Sequence, residues 1–360
     1  MLAVYVSGHG FGHATRTAEV LRVLRERAPA LPITVCTEAP AALFEVVGGS
    51  VAARAVACDV GLVQRDALTI DEAASAHAVT RFLASWDQRV AAEARFLRES
   101  GARLVLGDIP PLAFAAAALA GVPSVALGNF SWDWIYAHLA RRLPAFAAAS
   151  AGAAAAYRRA DLLLRLPFAG DLGVFPRALD VPLVARRPSI GKAEARARLG
   201  LGAMPVVLLS FGGVGMPGLR PAAYGRLAGH TFLLTGPAGD GPLPPNLRRL
   251  SSADLAALGF GYPDLVGAAD VVVSKPGYGI VTDCIGAGTR LVYTDRGDFP
   301  EYRVLVEEMP RHLPVAFASN QDVLEGRLEQ AIAGVLMASW PARQASDGAA
   351  FAADELLRRL

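Results

Sequence analysis

The 360-residue sequence is poor in cysteine, nearly balanced in charge, and without an apolar run long enough to cross a bilayer. Its three cysteines, Cys36, Cys58 and Cys284, show no metal-ligand spacing and read as small buried residues in a reducing compartment. A formal net charge of +2 gives no electrostatic reason for a nucleic-acid partner. No segment has a disordered composition, and Met1 leads straight into an apolar strand without a signal-peptide pattern. A soluble cytoplasmic protein with no stable membrane insertion is therefore expected. Lysine is scarce beside arginine, while alanine, glycine and proline abound, which fits a GC-rich coding sequence better than a function.

Hydrophobic residues make up 53% of the chain, ample for buried parallel sheets, and the length suggests two domains. The most specific stretch is Ser7-Gly8-His9-Gly10-Phe11-Gly12-His13-Ala14-Thr15-Arg16. It lies between a short apolar run, Leu2 to Val6, and a helical pattern from Thr15 to about Arg27. The glycines thus fall on a strand-to-helix turn, where they allow close approach to the backbone. A helix N-terminus behind them offers free N–H groups and partial positive charge. Two of the chain's six histidines, His9 and His13, sit here, and histidine is the side chain best suited to move a proton near neutral pH.

Further along, Gln64, Arg65, Asp66, Asp71 and Glu72 make residues 61–81 a polar, irregular segment, and 79–99 reads as one helix. Leu104 to Gly107 is a buried strand ending in Asp108, a carboxylate placed either to meet a ligand at a strand's C-terminal edge or to cap the next helix. After the strand Pro123 to Leu127 comes Gly128-Asn129-Phe130-Ser131-Trp132-Asp133-Trp134-Ile135-Tyr136. That cluster suits a sugar ring stacked on Trp132 with Asn129 and Asp133 on its hydroxyls; a core-filling helix start with Asp133 as cap is the plain alternative. Residues 141–159 read as an Ala-rich helix flanked by arginines, a weak candidate for a membrane surface.

The pattern then repeats. Val206 to Ser210 runs into Phe211-Gly212-Gly213-Val214-Gly215, a second glycine turn behind a strand. Asp270 to Ser274 leads into Lys275-Pro276-Gly277-Tyr278-Gly279, where a lysine beside free backbone N–H groups would favour phosphate. Asp283, on the helix that follows, is placed to accept from a ribose. The layout is that of two Rossmann-like doubly wound α/β domains facing each other across a cleft. The expected boundaries are 1–188 for the first domain, 189–338 for the second, and 339–360 for a C-terminal helix packing back on the first; the resemblance described next implies acceptor binding by the first and donor binding by the second.

On Ser7 to Arg16, Asn129 to Tyr136, Val181 to Arg186 and Lys275 to Gly279, the chain resembles the GT-B glycosyltransferases. More narrowly, it is similar to the glycosyltransferase-like region preceding the kinase domain in L-arabinokinase-type proteins. It lacks the Gly-Leu-Ser-Ser-Ser phosphate loop of the kinase, so sugar-kinase activity is not implied. The broader family includes the peptidoglycan GlcNAc transferase and the UDP-glycosyltransferases. The resemblance implies an inverting, metal-independent transfer from a nucleotide-sugar, UDP-type, to a hydroxyl of a small-molecule or lipid-linked acceptor. It needs no cofactor beyond that co-substrate. His13 is in register with the family's general base, His9 is the alternative, and Asp108 is the orienting carboxylate. Gly10 and Phe11 join Asn129, Trp132 and Asp133 on the acceptor side. The donor side takes Gly212, Gly213, Lys275, Gly277, Tyr278, Gly279 and, for the ribose, Asp283. The family's acidic-amide pair for the donor sugar is absent, and Asp298 and Glu301 stand nearest to it. Two other readings share these features: a non-catalytic sugar or nucleotide-sugar sensing module, and a nucleotide-sugar 2-epimerase.

Overall fold

The computed structural model describes residues 1–66, 69–212, 215–239, 241–342 and 345–360. The first half alternates strands and helices: β1 (Leu2–Val6), α1 (Phe11–Arg27), β2 (Ile33–Thr37), β3 (Val51–Ala55), α2 (Glu72–Ala84), α3 (Trp86–Glu99), β4 (Leu104–Asp108), α4 (Pro111–Ala120), β5 (Ser124–Gly128), α5 (Trp132–Ala140), α6 (Phe146–Tyr157), β6 (Leu162–Arg165) and β7 (Ala178–Asp180). The second half follows with α7 (Lys192–Arg198), β8 (Val206–Ser210), β9 (Thr231–Thr235), β10 (Leu247–Leu250), α8 (Ser252–Ala257), α9 (Tyr262–Ala268), β11 (Val271–Ser274), α10 (Tyr278–Ala287), β12 (Arg290–Tyr293), α11 (Pro300–Glu308), β13 (Val315–Phe317), α12 (Asn320–Leu324), α13 (Glu329–Met337) and α14 (Gly348–Leu357).

Both sheets are parallel throughout, in the orders β3-β2-β1-β4-β5-β6-β7 and β10-β9-β8-β11-β12-β13. The continuous apolar runs of β1, β4 and β8 are buried along their whole length, as strands covered by helices on both faces require. In each sheet the strand order reverses between its first and fourth strands, β1/β4 and β8/β11. Ligands of such sheets bind outside the C-terminal ends of the strands at that reversal. There the first sheet places Ser7 and Asp108, and the second places Ser210 and Lys275.

Several elements differ from the sequence pattern. Helix α1 begins at Phe11 rather than Thr15, because Gly10 makes the turn with φ 74° and lets Gly12 and His13 enter the first turn. The irregular segment already turns helical at Glu72, where Asp71 caps α2 by accepting from the Ala74 N–H. The pattern over 79–99 breaks at Ser85 into α2 and α3. The helix over 141–159 is shorter, Phe146–Tyr157.

The C-terminal helix α14 crosses back to the first half and lies on α1. Arg27 Nη1 donates to Ala350 O at 2.7 Å and pairs with Asp354, and the underside of α14 buries Ala352, Ala353 and Leu356. Leu356→Ala is expected to destabilise the protein by about 2–5 kcal/mol, the range for truncating a buried leucine. Denaturant unfolding of the variant checks this; a loss under about 0.5 kcal/mol, the surface range, would mean α14 does not hold the halves together.

Candidate active site

The end of the first sheet is built around Asp108, which is wholly buried. Its Oδ1 accepts from His13 Nδ1 at 2.8 Å and Arg16 Nη2 at 2.5 Å, and its Oδ2 from Arg16 Nε at 2.7 Å and Thr17 Oγ1 at 2.7 Å. Burial pushes such a carboxyl up, but the Arg16 guanidinium overcomes it and holds Asp108 down at about 2. The group is therefore a carboxylate at neutral pH and only accepts. His13 Nδ1 must then carry the proton, which leaves the lone pair on Nε2. Arg16 Nη2 also lies 3.1 Å from Nδ1, but both are donors to the same Asp108 oxygen, so no bond forms between them.

His9 has the opposite tautomer. Its Nδ1 accepts from the Leu62 N–H at 3.2 Å, so the neutral ring keeps its proton on Nε2. Burial, then the neighbouring His13, Arg296 and Lys275, hold its pKa down to about 3. Gly61, at φ 61°, makes room for this ring; a Cβ there would sit 2.5 Å from His9 Cβ. With both histidines open from sequence, the hydrogen bonding favours His13 as proton acceptor, because only His13 has a free basic nitrogen oriented by a carboxylate.

The two glycine turns meet. A Cβ on Gly279, in the first turn of α10, would lie 3.5 Å from Gly12 Cα in the first turn of α1. Two helix N-termini thus share one crevice, with Arg16 5.1 Å over the Tyr278 ring. Gly10, Phe11 (exposed), Gly277, which precedes α10, and Lys275 border it. Lys275 is half-buried, and its pKa falls to about 8 through burial and then the Arg296 charge beside it. Gly212 lies just past β8 with φ 72°. Gly213 falls outside the described residues.

Other expected contacts are not made as expected. Trp132 offers no ring face to a sugar: it is fully buried, stacked on Tyr136 at 5.6 Å, and its Nε1 donates to Asp59 Oδ2 at 2.9 Å. Asn129 and Glu301 are both buried and bonded to each other across the halves, Nδ2 to Oε1 at 2.9 Å. Asp283 does not reach the crevice; Arg186, in the connector between the sheets, engages both its oxygens on the buried face of α10. The ribose contact expected of it is not open in this structure, since Asp283 is buried and both its oxygens are held by Arg186. Asp298 is exposed and bridges the halves through His138 Nε2 at 2.8 Å and Arg142. Asp133 is half-buried at the start of α5, where its Oδ1 has no partner and burial raises its pKa.

Three residues here were not singled out from sequence. Arg16 lies within the glycine-histidine stretch, one turn after His13, yet reads as a surface cation. Asp59 follows β3 near the same crevice, takes Trp132 and Ser7, and has a raised pKa through burial. Arg296 donates to Glu301 Oε2 at 2.7 Å and lies 4.2 Å over the Phe299 ring. A charged residue just past a parallel strand, the signal used for Asp108, would have flagged Arg296 and Asp59 alike. Among the described residues no group of three His, Cys, Asp or Glu side chains is placed to hold a metal ion.

No family model matches the chain. Solved structures align along its whole length. The glycotransferase of kitacinnamycin covers 99% of this chain and 94% of its own at 19% identity, with a TM-score of 0.61. CalG4, the calicheamicin glycosyltransferase, covers 100% and 98% at 16% identity with a TM-score of 0.62. The chain has the GT-B fold. A third GT-B neighbour, a transferase from Siraitia grosvenorii in complex with UDP, covers 99% of both chains at 15% identity with a TM-score of 0.56. In sequence the chain is 34% identical over 311 residues to L-arabinokinase of Arabidopsis thaliana, which spans 84% of this GT-B chain but only 29% of that protein. No helix among the described residues is long and apolar enough to cross a membrane.

Removing Asp108's charge tests the electrostatic account. Asp108→Asn leaves Arg16 buried and uncompensated, a change expected to cost about 3–5 kcal/mol at neutral pH. Because the folded-state pKa is depressed, the carboxylate's contribution is present above the unfolded value of about 3.9 and lost as pH falls toward 2. The stability gap between variant and wild type should therefore narrow between pH 4 and 2 in denaturant titrations. A gap constant over that range would exclude the ionised carboxylate.

Proposed function

We propose that this chain is an inverting, metal-independent glycosyltransferase that moves a sugar from a UDP-type nucleotide-sugar to a hydroxyl of a small-molecule acceptor. The observation that carries the reading is the His13–Asp108 pair at the reversal point of one sheet, opposite Lys275 and the N-terminus of α10 at that of the other. A sugar hydroxyl has a high pKa, so its attack on the anomeric carbon requires a base. His13 Nε2 takes that proton, and Asp108 stabilises the imidazolium that forms. The departing nucleoside diphosphate gains negative charge, which Lys275, Arg296 and two helix N-termini are arranged to meet. Inversion follows from a single displacement, for which one base suffices. The solved GT-B neighbours include a complex with UDP, which supports the donor class.

The test begins with a thermal-shift screen of nucleoside diphosphates and their sugar conjugates, since a ligand that binds the folded state raises the midpoint by mass action. With the donor found, His13→Ala should cut transfer by about 10²–10⁴-fold and leave donor affinity nearly unchanged. Undiminished transfer would remove His13 as base, and donor binding with no transfer to any acceptor would turn the reading to a sensing module.

Lys275 carries its own signature. Donor affinity should weaken as pH rises through about 8, where its free amine loses its proton. Lys275→Ala should lower affinity about 10–100-fold at neutral pH, the worth of a charged hydrogen bond, and flatten the pH dependence. Calorimetry at pH 7 and 9 reads both effects; a wild-type affinity equal at the two pH values would exclude the lysine from the anion site.

A further inference from the structure

A line of buried polar side chains runs unbroken from Asp108 to the second half of the chain. Arg16, bound to Asp108 by Nε and Nη2, donates its Nη1 to Asn129 Oδ1 at 2.6 Å. Asn129 Nδ2 donates to Glu301 Oε1 at 2.9 Å, and Arg296 Nη1 donates to Glu301 Oε2 at 2.7 Å. Asp108, Arg16, Asn129 and Glu301 are each less than 5% exposed. A guanidinium only donates and a carboxylate only accepts, so the Asn129 amide has a single orientation between them. The charges also cancel in neighbouring pairs, Arg16 with Asp108 and Arg296 with Glu301.

Only one link in this line joins the halves. His13, Arg16, Asp108 and Asn129 all belong to the first sheet's elements, and Glu301 and Arg296 to the second's. Separation of the halves therefore breaks the Asn129–Glu301 bond and leaves the rest of the line intact. What then changes is the hold on Arg16, which shares Asp108 Oδ1 with His13. With its amide anchored by Glu301, Asn129 Oδ1 accepts from Arg16 Nη1 while Nε and Nη2 take the two Asp108 oxygens. Without that anchor the amide is free to turn, the guanidinium loses a fixed acceptor, and its positive charge, with Nη2 3.1 Å from His13 Nδ1, bears more strongly on the histidine.

We infer that Glu301, acting through Asn129 and Arg16, is a positioning residue for the His13–Asp108 pair, so that His13 reaches full basicity only when the two halves are together. The inference rests on the reading of His13 as base. Loss of Glu301 acts in one direction by both routes: the Arg16 charge beside His13 is less compensated, and a negative charge that stabilises an imidazolium is gone. The other groups facing His13 are Asp108 from β4, Arg16 from α1, and His9 and Asp59 from the turns after β1 and β3, all unchanged by the substitution. The nearest ring, Phe130 at 5.4 Å, is uncharged.

The test reads the histidine itself. In the full chain labelled with 15N-histidine, with the resonance assigned through His13→Gln, long-range NMR correlations report the His13 tautomer and its titration. The wild type should show the proton on Nδ1. Glu301→Ala should lower the titration midpoint by about half a pH unit or more, the scale on which a neighbouring charge acts. Glu301→Gln keeps an acceptor for Asn129 and should shift the midpoint the same way by less. Asp298→Asn removes an exposed, solvent-screened anion from the rim and should leave it in place. If Glu301→Ala does not fold, the near-isosteric glutamine variant decides. Midpoints in the Glu301 variants no different from Asp298→Asn overturn the inference. A shift seen in a protein that transfers no sugar leaves the coupling standing and counts against the proposed activity instead.

Discussion

One buried anion organises the mouth of the first sheet. An ionised carboxylate with no access to water is tolerated only when donors replace its hydration shell, and Asp108 takes four hydrogen bonds from three side chains. Those donors, His13, Arg16 and Thr17, come from the first two turns of α1. To bring residues three and four apart onto one carboxylate they must already be helical. The helix must then start at Phe11, and Gly10 has to make the turn before it with a positive φ. Gly12, in that first turn, is what α10 approaches. The geometry of the crevice thus follows in a few steps from a requirement to satisfy Asp108.

The second sheet supplies a complementary need. Its turn carries Lys275 and a helix N-terminus, and its one buried carboxylate there, Glu301, is already taken by Arg296 and Asn129. Burial, then the Arg296 charge, depress the Lys275 pKa. A ligand that carries negative charge relieves that repulsion. The GT-B neighbours show that this arrangement of two sheets is shared across chains with fewer than one residue in five in common. The Arg186–Asp283 pair holds the connector against α10.

Much of this was legible from the residues. The two glycine turns, the strand runs and Asp108 stand out because their signals are local: apolar runs of strand length, and glycine where a backbone must turn. His13 could not be separated from His9 in the sequence, because the distinction is the Leu62 N–H on His9 Nδ1, made by a residue 53 positions away. The roles of Trp132 and Asn129 stay open in the sequence for a related reason. Their pattern fits both a sugar site and a core, and burial decides, which depends on Asp59 and Glu301 arriving from other elements. Arg16 is the instructive case. A cation on a helix reads as solvent-facing until a carboxylate from another strand is known to lie beneath it.

The contacts that join the halves differ in what they contribute. At the rim, Asp298 with His138 and Arg142 is exposed, and such pairs are worth about 0–1 kcal/mol. The buried Asn129–Glu301 hydrogen bond involves a charged acceptor, and bonds of that kind contribute about 1.5–3 kcal/mol. Both are small beside the binding free energy of a micromolar ligand, about 8 kcal/mol, so a ligand in the crevice can outweigh them, while the packing of α14 on α1 joins the halves independently. On the proposed reading, in which His13 is the base and Glu301 acts on it through the buried contact, closure itself completes the base, so that the proton acceptor is weakest while the crevice is open to water and an activated donor would be most exposed to hydrolysis.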